Sequence, residues 1–314
     1  QKNSTSLVNT LKLEIDADIH ATPLAYISHN LIVQIRCEDF AVMGFHIFSK
    51  LANLHPETVV LLYSDDDSSQ QIDKFQNLLL AAGFEVECRK QNHIPFSVIS
   101  AGNDSIAYPI HLIHKLIRSE EKEIRLPLRD YDTGEMILSG QPALLTANGT
   151  CKPGYFACQL LSRLKGNLLC WGKQYCVIET QSDSNPAYII IVSNFNEAIY
   201  EMCTKETTAH QAKTILNEFK DEIDFNVSLN LPPGMYSVMK YSLTKNRNIF
   251  AYLSAFDFND DVGFHSTQTV SIPTEPELEL YIEDVRTTFN MNFSMKGVEL
   301  QYAVIRLKGD SKDA

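Results

Sequence analysis

The apolar residues of this chain change their spacing once, near residue 166, and that change limits the folds open to it. Before that point, short apolar runs alternate with stretches of helical period. Leu31-Ile32-Val33-Gln34-Ile35 and Thr58-Val59-Val60-Leu61-Leu62-Tyr63 are runs of the kind that buried strands carry. Between them Phe40, Met43, Ile47, Leu51 and Leu54 keep helical spacing, and His55-Pro56 ends the pattern. Ser64-Asp65-Asp66-Asp67-Ser68 offers N-cap side chains for a helix over about 69–82, closed by Gly83. Phe84 to Cys88 alternates as a strand with one exposed face does. Phe96 to Ile99 is read as a strand, Ile106 to Arg118 as a helix and Ile124 to Leu128 as a further strand. Strand–helix order of this kind predicts a parallel sheet with right-handed crossovers. It holds too few repeats for a closed eight-stranded barrel.

Beyond residue 166 the texture is that of short, often alternating strands, over 167–180, 187–193, 225–231, 235–244, 249–256, 266–272, 278–286, 287–295 and 298–307. One helix, Glu197 to Lys220, interrupts them. An antiparallel sandwich is expected. Residues 1–30 are mostly polar, with one alternating stretch at Leu11, Leu13 and Ile15. The fold class is therefore α/β plus all-β: an incomplete (β/α) barrel-like domain, 1–166, packed on an antiparallel β-sandwich, 167–314. A helix over 153–165 leads straight into Leu168, Leu169 and Trp171, so a tight apolar contact between the two is expected rather than a tether.

Charge and composition exclude several functions. Lys and Arg number 27 against 39 Asp and Glu, a net charge of −12, which repels a phosphate backbone. Any DNA contact is thus expected from a domain outside this chain. No uncharged apolar run is long enough to span a bilayer, so no membrane partner is expected. Gln1 is not an initiator Met and no basic-then-apolar signal segment follows it, so the chain reads as a processed product or as an excised piece of a longer protein, and a cytoplasmic location is expected. Cysteines at 37, 88, 151, 158, 170, 176 and 203 are scattered without a CxxC, as buried reduced thiols are.

One stretch is distinctive: Gly140-Gln141-Pro142-Ala143-Leu144-Leu145-Thr146-Ala147-Asn148-Gly149-Thr150-Cys151-Lys152-Pro153-Gly154-Tyr155-Phe156-Ala157. Pro153 suits a first helical turn, and Tyr155, Leu160, Leu161 and Leu164 form a packing face. The stretch resembles the segment leading into the last barrel helix of glycoside hydrolase family 39, the β-xylosidase-like enzymes. Pro232-Pro233-Gly234-Met235-Tyr236 and Gly297-Val298-Glu299-Leu300 resemble strands of that family's closing sandwich. The resemblance implies a retaining mechanism with two carboxyl groups roughly 5–5.5 Å apart. Its motifs are missing here. The acid/base Asn-Glu-Pro does not occur: Asn217-Glu218 is followed by Phe219 and Asn196-Glu197 by Ala198. Where the nucleophile would stand, Phe96 to Asn103 has no carboxylate, and the single tryptophan, Trp171, falls in the sandwich. The resemblance thus implies a catalytically dead relative. Such regions recur behind the DNA-binding domain of AraC-type transcription regulators of Gram-positive bacteria, among them staphylococcal regulators of surface proteins and biofilm. The expected function is a non-catalytic effector-binding or oligomerisation region of such a regulator, not an enzyme. The alternative is an active family 39-like glycosidase.

Local motifs are weak. His111 and His114 stand three apart on a helix without a third ligand, Asp65-Asp66-Asp67 lacks the closing Glu of a calcium loop, and Cys37 lacks a nucleophile signature. No metal and no cofactor are expected. In parallel α/β sheets ligands meet the carboxyl ends of the strands. The polar residues there, Glu38, Asp39, Asp65, Asn103, Arg129 and Asp132, are the candidates for a small polar ligand such as a sugar, and a homodimer is expected as a partner arrangement.

Overall fold

The structure is a computed structural model that describes residues 8–91, 98–118, 122–133, 136–180, 186–254 and 275–308. Strands β1 (Thr10–Ala17), β2 (Ala25–Ser28) and β3 (Asn30–Arg36) come first. The single helix expected over 40–54 is two, α1 (Cys37–Met43) and α2 (His46–Leu54). Gly44 breaks it: it adopts φ +53°, and its N–H closes on the Phe40 carbonyl. Strand β4 (Thr58–Tyr63) leads to α3 (Ser69–Ala81), capped by Ser68, whose hydroxyl accepts the Gln71 N–H at 3.2 Å. Strand β5 (Val86–Lys90) follows, lying slightly beyond the alternating stretch. The strand expected at 96–99 falls partly outside the described residues, and Val98 and Ile99 are not in a strand. A 3₁₀ turn, Ala101–Asp104, precedes α4 (Ala107–Arg118), β6 (Glu123–Pro127) and α5 (Pro153–Leu161), with Pro153 in its first turn. Gly154 is needed there, because a Cβ on it would meet the Tyr108 ring at 2.5 Å.

The sandwich elements follow: β7 (Lys165–Trp171), β8 (Tyr175–Thr180), β9 (Ala187–Asn194), α6 (Glu197–Glu201), α7 (Ala209–Glu218), β10 (Glu222–Asn230), β11 (Gly234–Thr244), α8 (Ile249–Ser254), β12 (Glu277–Val285), β13 (Thr288–Lys296) and β14 (Glu299–Leu307). The helix expected over 197–220 is again two, because Thr208 and Gln211 form a capping box that starts α7 afresh. Of the strand expected over 249–256, residues 255 and 256 lie outside the described residues and 249–254 form a helix. Asn248 sets it by accepting the Ala251 N–H at 2.9 Å, which outweighs the β-branched and aromatic residues that suggested a strand. The strand expected over 266–272 lies outside the described residues.

The described residues form three sheets. The parallel sheet has the order β5-β4-β3-β6 and does not close. A seven-stranded antiparallel sheet runs β12-β11-β14-β9-β8-β7-β2, and a three-stranded sheet runs β1-β10-β13, with β1 parallel to β10. The first two strands therefore leave the barrel-like part to which their position in sequence assigns them. β2 pairs with β7, and β1 lines the sandwich with Ile15 and Ala17.

Alternation explains the layering. One face of β3, β4 and β6 carries Leu31, Val33, Ile35, Leu61 and Leu126 into a core with α1–α5. The same core takes Leu168, Ile178, Ile189, Ile191, Leu300 and Tyr302 from one face of the large sheet. The other face of that sheet, with Val177, Ile190, Val192, Ala303 and Ile305, packs on Phe225, Val227, Phe289 and Phe293 of the three-stranded sheet. β9 is covered on both faces, and all eight of its residues are buried. No helix among the described residues is long and apolar enough to cross a membrane.

Because one core joins the parallel layer to the large sheet, the chain is expected to unfold as a single unit. Leu300 is fully buried in that shared core, so Leu300→Ala should cost about 2–5 kcal/mol. In urea denaturation followed by fluorescence and by circular dichroism, both signals should move together to lower urea. Two separate transitions, with only one displaced, would contradict a shared core.

Candidate functional site at the carboxyl ends of the parallel strands

β3 and β6 are neighbours in register, Gln34 opposite Pro127, so the segments that leave their carboxyl ends run side by side. Asp39, in the first turn of α1, is buried. Its Oδ2 accepts the Arg36 backbone N–H at 2.7 Å, and its Oδ1 accepts Arg129 Nε at 2.7 Å. Arg129 Nη1 donates to the Ala147 carbonyl at 2.8 Å, and its Nη2 stands 3.5 Å from Glu38 Oε1. Arg36 reaches the same oxygen of Glu38 at 2.6 Å. It also donates from Nε to Gln91 at 3.1 Å and lies 4.7 Å over the Tyr131 ring. Asp132, at φ +53°, holds a carboxylate oxygen 3.8 Å from Arg36.

Behind this rim lies a second cluster, entirely buried. Lys152 Nζ stands 2.5 Å from Asp104 Oδ1 and 2.8 Å from Asp130 Oδ1, and donates to the Gln141 carbonyl at 2.8 Å. The Gly140 N–H donates to Asp104 Oδ2 at 2.7 Å. Gly140 crosses the 3₁₀ turn so closely that a Cβ on it would meet Ser100 backbone atoms at 2.9 Å. The Gln141 side chain brackets the Tyr131 peptide, accepting its N–H at 3.1 Å and donating to its carbonyl at 2.6 Å. One cation thus faces two carboxylates away from water. Burial, with the Asp104 charge adding to it and Lys152 opposing, pushes the Asp130 carboxyl up to about 6. Burial raises Asp104 as well. Burial alone would lower Lys152, but the two carboxylates carry it above the usual range.

Of the residues singled out in sequence, Glu38, Asp39, Arg129 and Asp132 come together on the rim. Asp65 does not join them: it is exposed and pairs with Lys90 at 2.6 Å. Asn103 is buried and supports the fold, donating to the carbonyls of Gly140 at 2.8 Å and Val98 at 3.3 Å. His114 meets Ser193 Oγ at 2.8 Å while His111 packs on Tyr200, so the two histidines serve different neighbours. Among the described residues no group of three metal-capable side chains forms. The Cys37 thiol is pushed up to about 12 by burial, the wrong direction for a nucleophile. Asp130 lies within the polar strand end Arg129 to Asp132, whereas Arg36, Asp104, Gln141 and Lys152 are not among the sequence candidates. Arg36 carries the same kind of signal as Asp130, a charge at the end of an apolar strand.

No family model matches the chain, and no curated protein sequence does. Among solved structures it is similar to the family 39 glycoside hydrolase from Xanthomonas axonopodis pv. citri, with 12% identity, a TM-score of 0.49, and 85% of this chain and 58% of that one covered. It is also similar to the family 39 β-xylosidase from Caulobacter crescentus, with 13% identity, a TM-score of 0.42, and 84% and 54% covered. A third is the bacterial orthologue of human α-L-iduronidase, with 10% identity, a TM-score of 0.43, and 81% and 49% covered. The chain spans less than two thirds of the length of each.

The buried cluster sets a pH dependence. Asp130 keeps its proton to about pH 6 when folded but loses it from about 3.8 when unfolded, so the folded state binds the extra proton between these values. Stability from this group therefore falls as pH rises from about 4 to about 6, with a limiting slope of ~1.4 kcal/mol per pH unit. Urea denaturation across that range should show a shallower descent for Asp130→Asn than for the wild type. Equal slopes would mean that Asp130 is ionised throughout.

Proposed function

We propose that the chain is a non-catalytic effector-binding or oligomerisation region of a bacterial AraC-type transcription regulator, acting in the cytoplasm on surface-protein, biofilm or virulence-type genes. One observation carries the non-catalytic part. At the carboxyl ends of the parallel strands, Glu38, Asp39, Asp104 and Asp130 are each engaged by Arg36, Arg129 or Lys152. A glycosidase acid must trade its proton with the leaving group, and its partner must reach the sugar from the opposite face. Asp104 and Asp130 have no access to any substrate, and Asp39 is bound through both oxygens.

The regulatory part rests on the likeness of the Gly140–Tyr155 stretch to barrels fused to such regulators, and on charge. A net −12 leaves DNA contact to residues outside this chain. Oligomerisation is supported by β12, which among the described residues is an edge strand with Leu278, Leu280 and Ile282 exposed.

Aryl xylosides and related aryl glycosides should be turned over no faster than in buffer, since an active enzyme of this type exceeds the background by many orders of magnitude. The chain should also leave promoter DNA unshifted in a low-salt gel. Turnover that survives repurification and vanishes when one Asp or Glu is replaced would establish the active glycosidase instead.

A further inference from the structure

Arg36 and Arg129 converge on one acceptor, Glu38 Oε1, from 2.6 and 3.5 Å. The two cations are fixed from behind. Arg129 is held by buried Asp39 and the Ala147 carbonyl, and Arg36 by Gln91 and the Tyr131 ring. Their side chains are only 8% and 17% exposed, whereas that of Glu38 is 47% exposed. The fixed set of Arg36, Arg129 and Asp39 carries one uncompensated positive charge. What neutralises it is the half-exposed Glu38 carboxylate on the solvent side, with Asp132 more distant at 3.8 Å and 78% exposed.

We infer that this pair of arginines is a binding site for a small carboxylate anion, and that Glu38 is the internal stand-in the ligand displaces. The proposal rests on reading the chain as an effector-binding region and gives that effector its chemistry. A carboxylate matches the planar guanidinium groups in shape and charge, and a neutral sugar would leave the positive charge unmet. The candidate acids Glu38 and Asp39 thus exchange roles with the bases: Asp39 is the anchor, Glu38 the gate, and the arginines are the receptor. The same chemistry can come from a sugar acid or from a hydroxydicarboxylate.

Isothermal titration calorimetry on the 314-residue chain at low salt, with glucuronate, malate and glucose, separates these. Glucuronate or malate should bind and glucose should not, and the stronger of the two acids identifies the source. Glu38→Gln removes the competing charge and should tighten the acid about five- to tenfold, the scale of one half-exposed ion pair. Arg36→Gln should weaken it at least about tenfold. Its melting temperature should stay near that of the wild type, because Asp39 keeps Arg129. An acid affinity unmoved by Glu38→Gln, or retained in Arg36→Gln, would overturn the arginine site. Glucose binding that ignores both substitutions would overturn it while leaving the effector reading standing. Absence of binding by any of the three ligands to wild type and both variants would overturn the site and the effector half of that reading together.

Discussion

The ammonium of Lys152 has no water to turn to, and much of the surrounding structure follows from how it is held. Its side chain is fully buried between Asp104 and Asp130, with the Gln141 carbonyl as a third acceptor. Those partners come from three places: the 3₁₀ turn before α4, the segment leaving β6, and the loop around Gly140. Lys152 itself occupies the N-cap position of α5, without a side-chain capping bond. Removing Lys152 would leave two buried carboxylates without their cation, at a cost of about 3–5 kcal/mol. The cluster is thus a junction, and the loop positions that set the rim, Arg129 to Asp132, inherit their placement from it.

The junction also bears on the open sheet. Four parallel strands with helices on one face leave that helical layer needing a second cover, which the seven-stranded sheet supplies through Leu300, Tyr302 and Ile178. Tyr302 and Tyr241 stack there with ring centroids 4.7 Å apart. With Asp39, Asp104 and Asp130 tied into ion pairs, what faces solvent is the half-exposed Glu38 carboxylate, with the two largely buried arginines behind it. That arrangement suits recognition of charge better than bond cleavage.

Much of the fold was legible from spacing. The apolar runs at 31–35 and 58–63 became β3 and β4, and the alternating stretches after residue 225 became β10, β11, β13 and β14. What misled was local chemistry that overrides periodicity: Gly44, Thr208 and Asn248 each end or start a helix within a continuous apolar pattern. β1 could not be placed, because its parallel partner β10 lies more than two hundred residues on; Glu14 and Asn226, bonded at 2.8 Å, are 212 residues apart. The site was half legible. Glu38, Asp39, Arg129 and Asp132 follow from strand ends in a parallel sheet, whereas Asp104 and Lys152 meet only through the tertiary fold. No spacing rule marks a lysine before Pro153 as a buried cation.

The most direct measurement is a double-mutant cycle between Lys152→Met and Asp104→Leu, read by urea denaturation with Asp130 unchanged. Lys152→Met leaves two buried carboxylates without their cation, whereas Asp104→Leu leaves Lys152 paired with Asp130, and the double change leaves Asp130 alone uncompensated. The two costs are therefore expected to be strongly non-additive, with a coupling of about 2–3 kcal/mol. Costs that add to within about 0.5 kcal/mol would mean that Lys152 and Asp104 do not depend on each other, and that the junction at the carboxyl ends of the strands is held by something else.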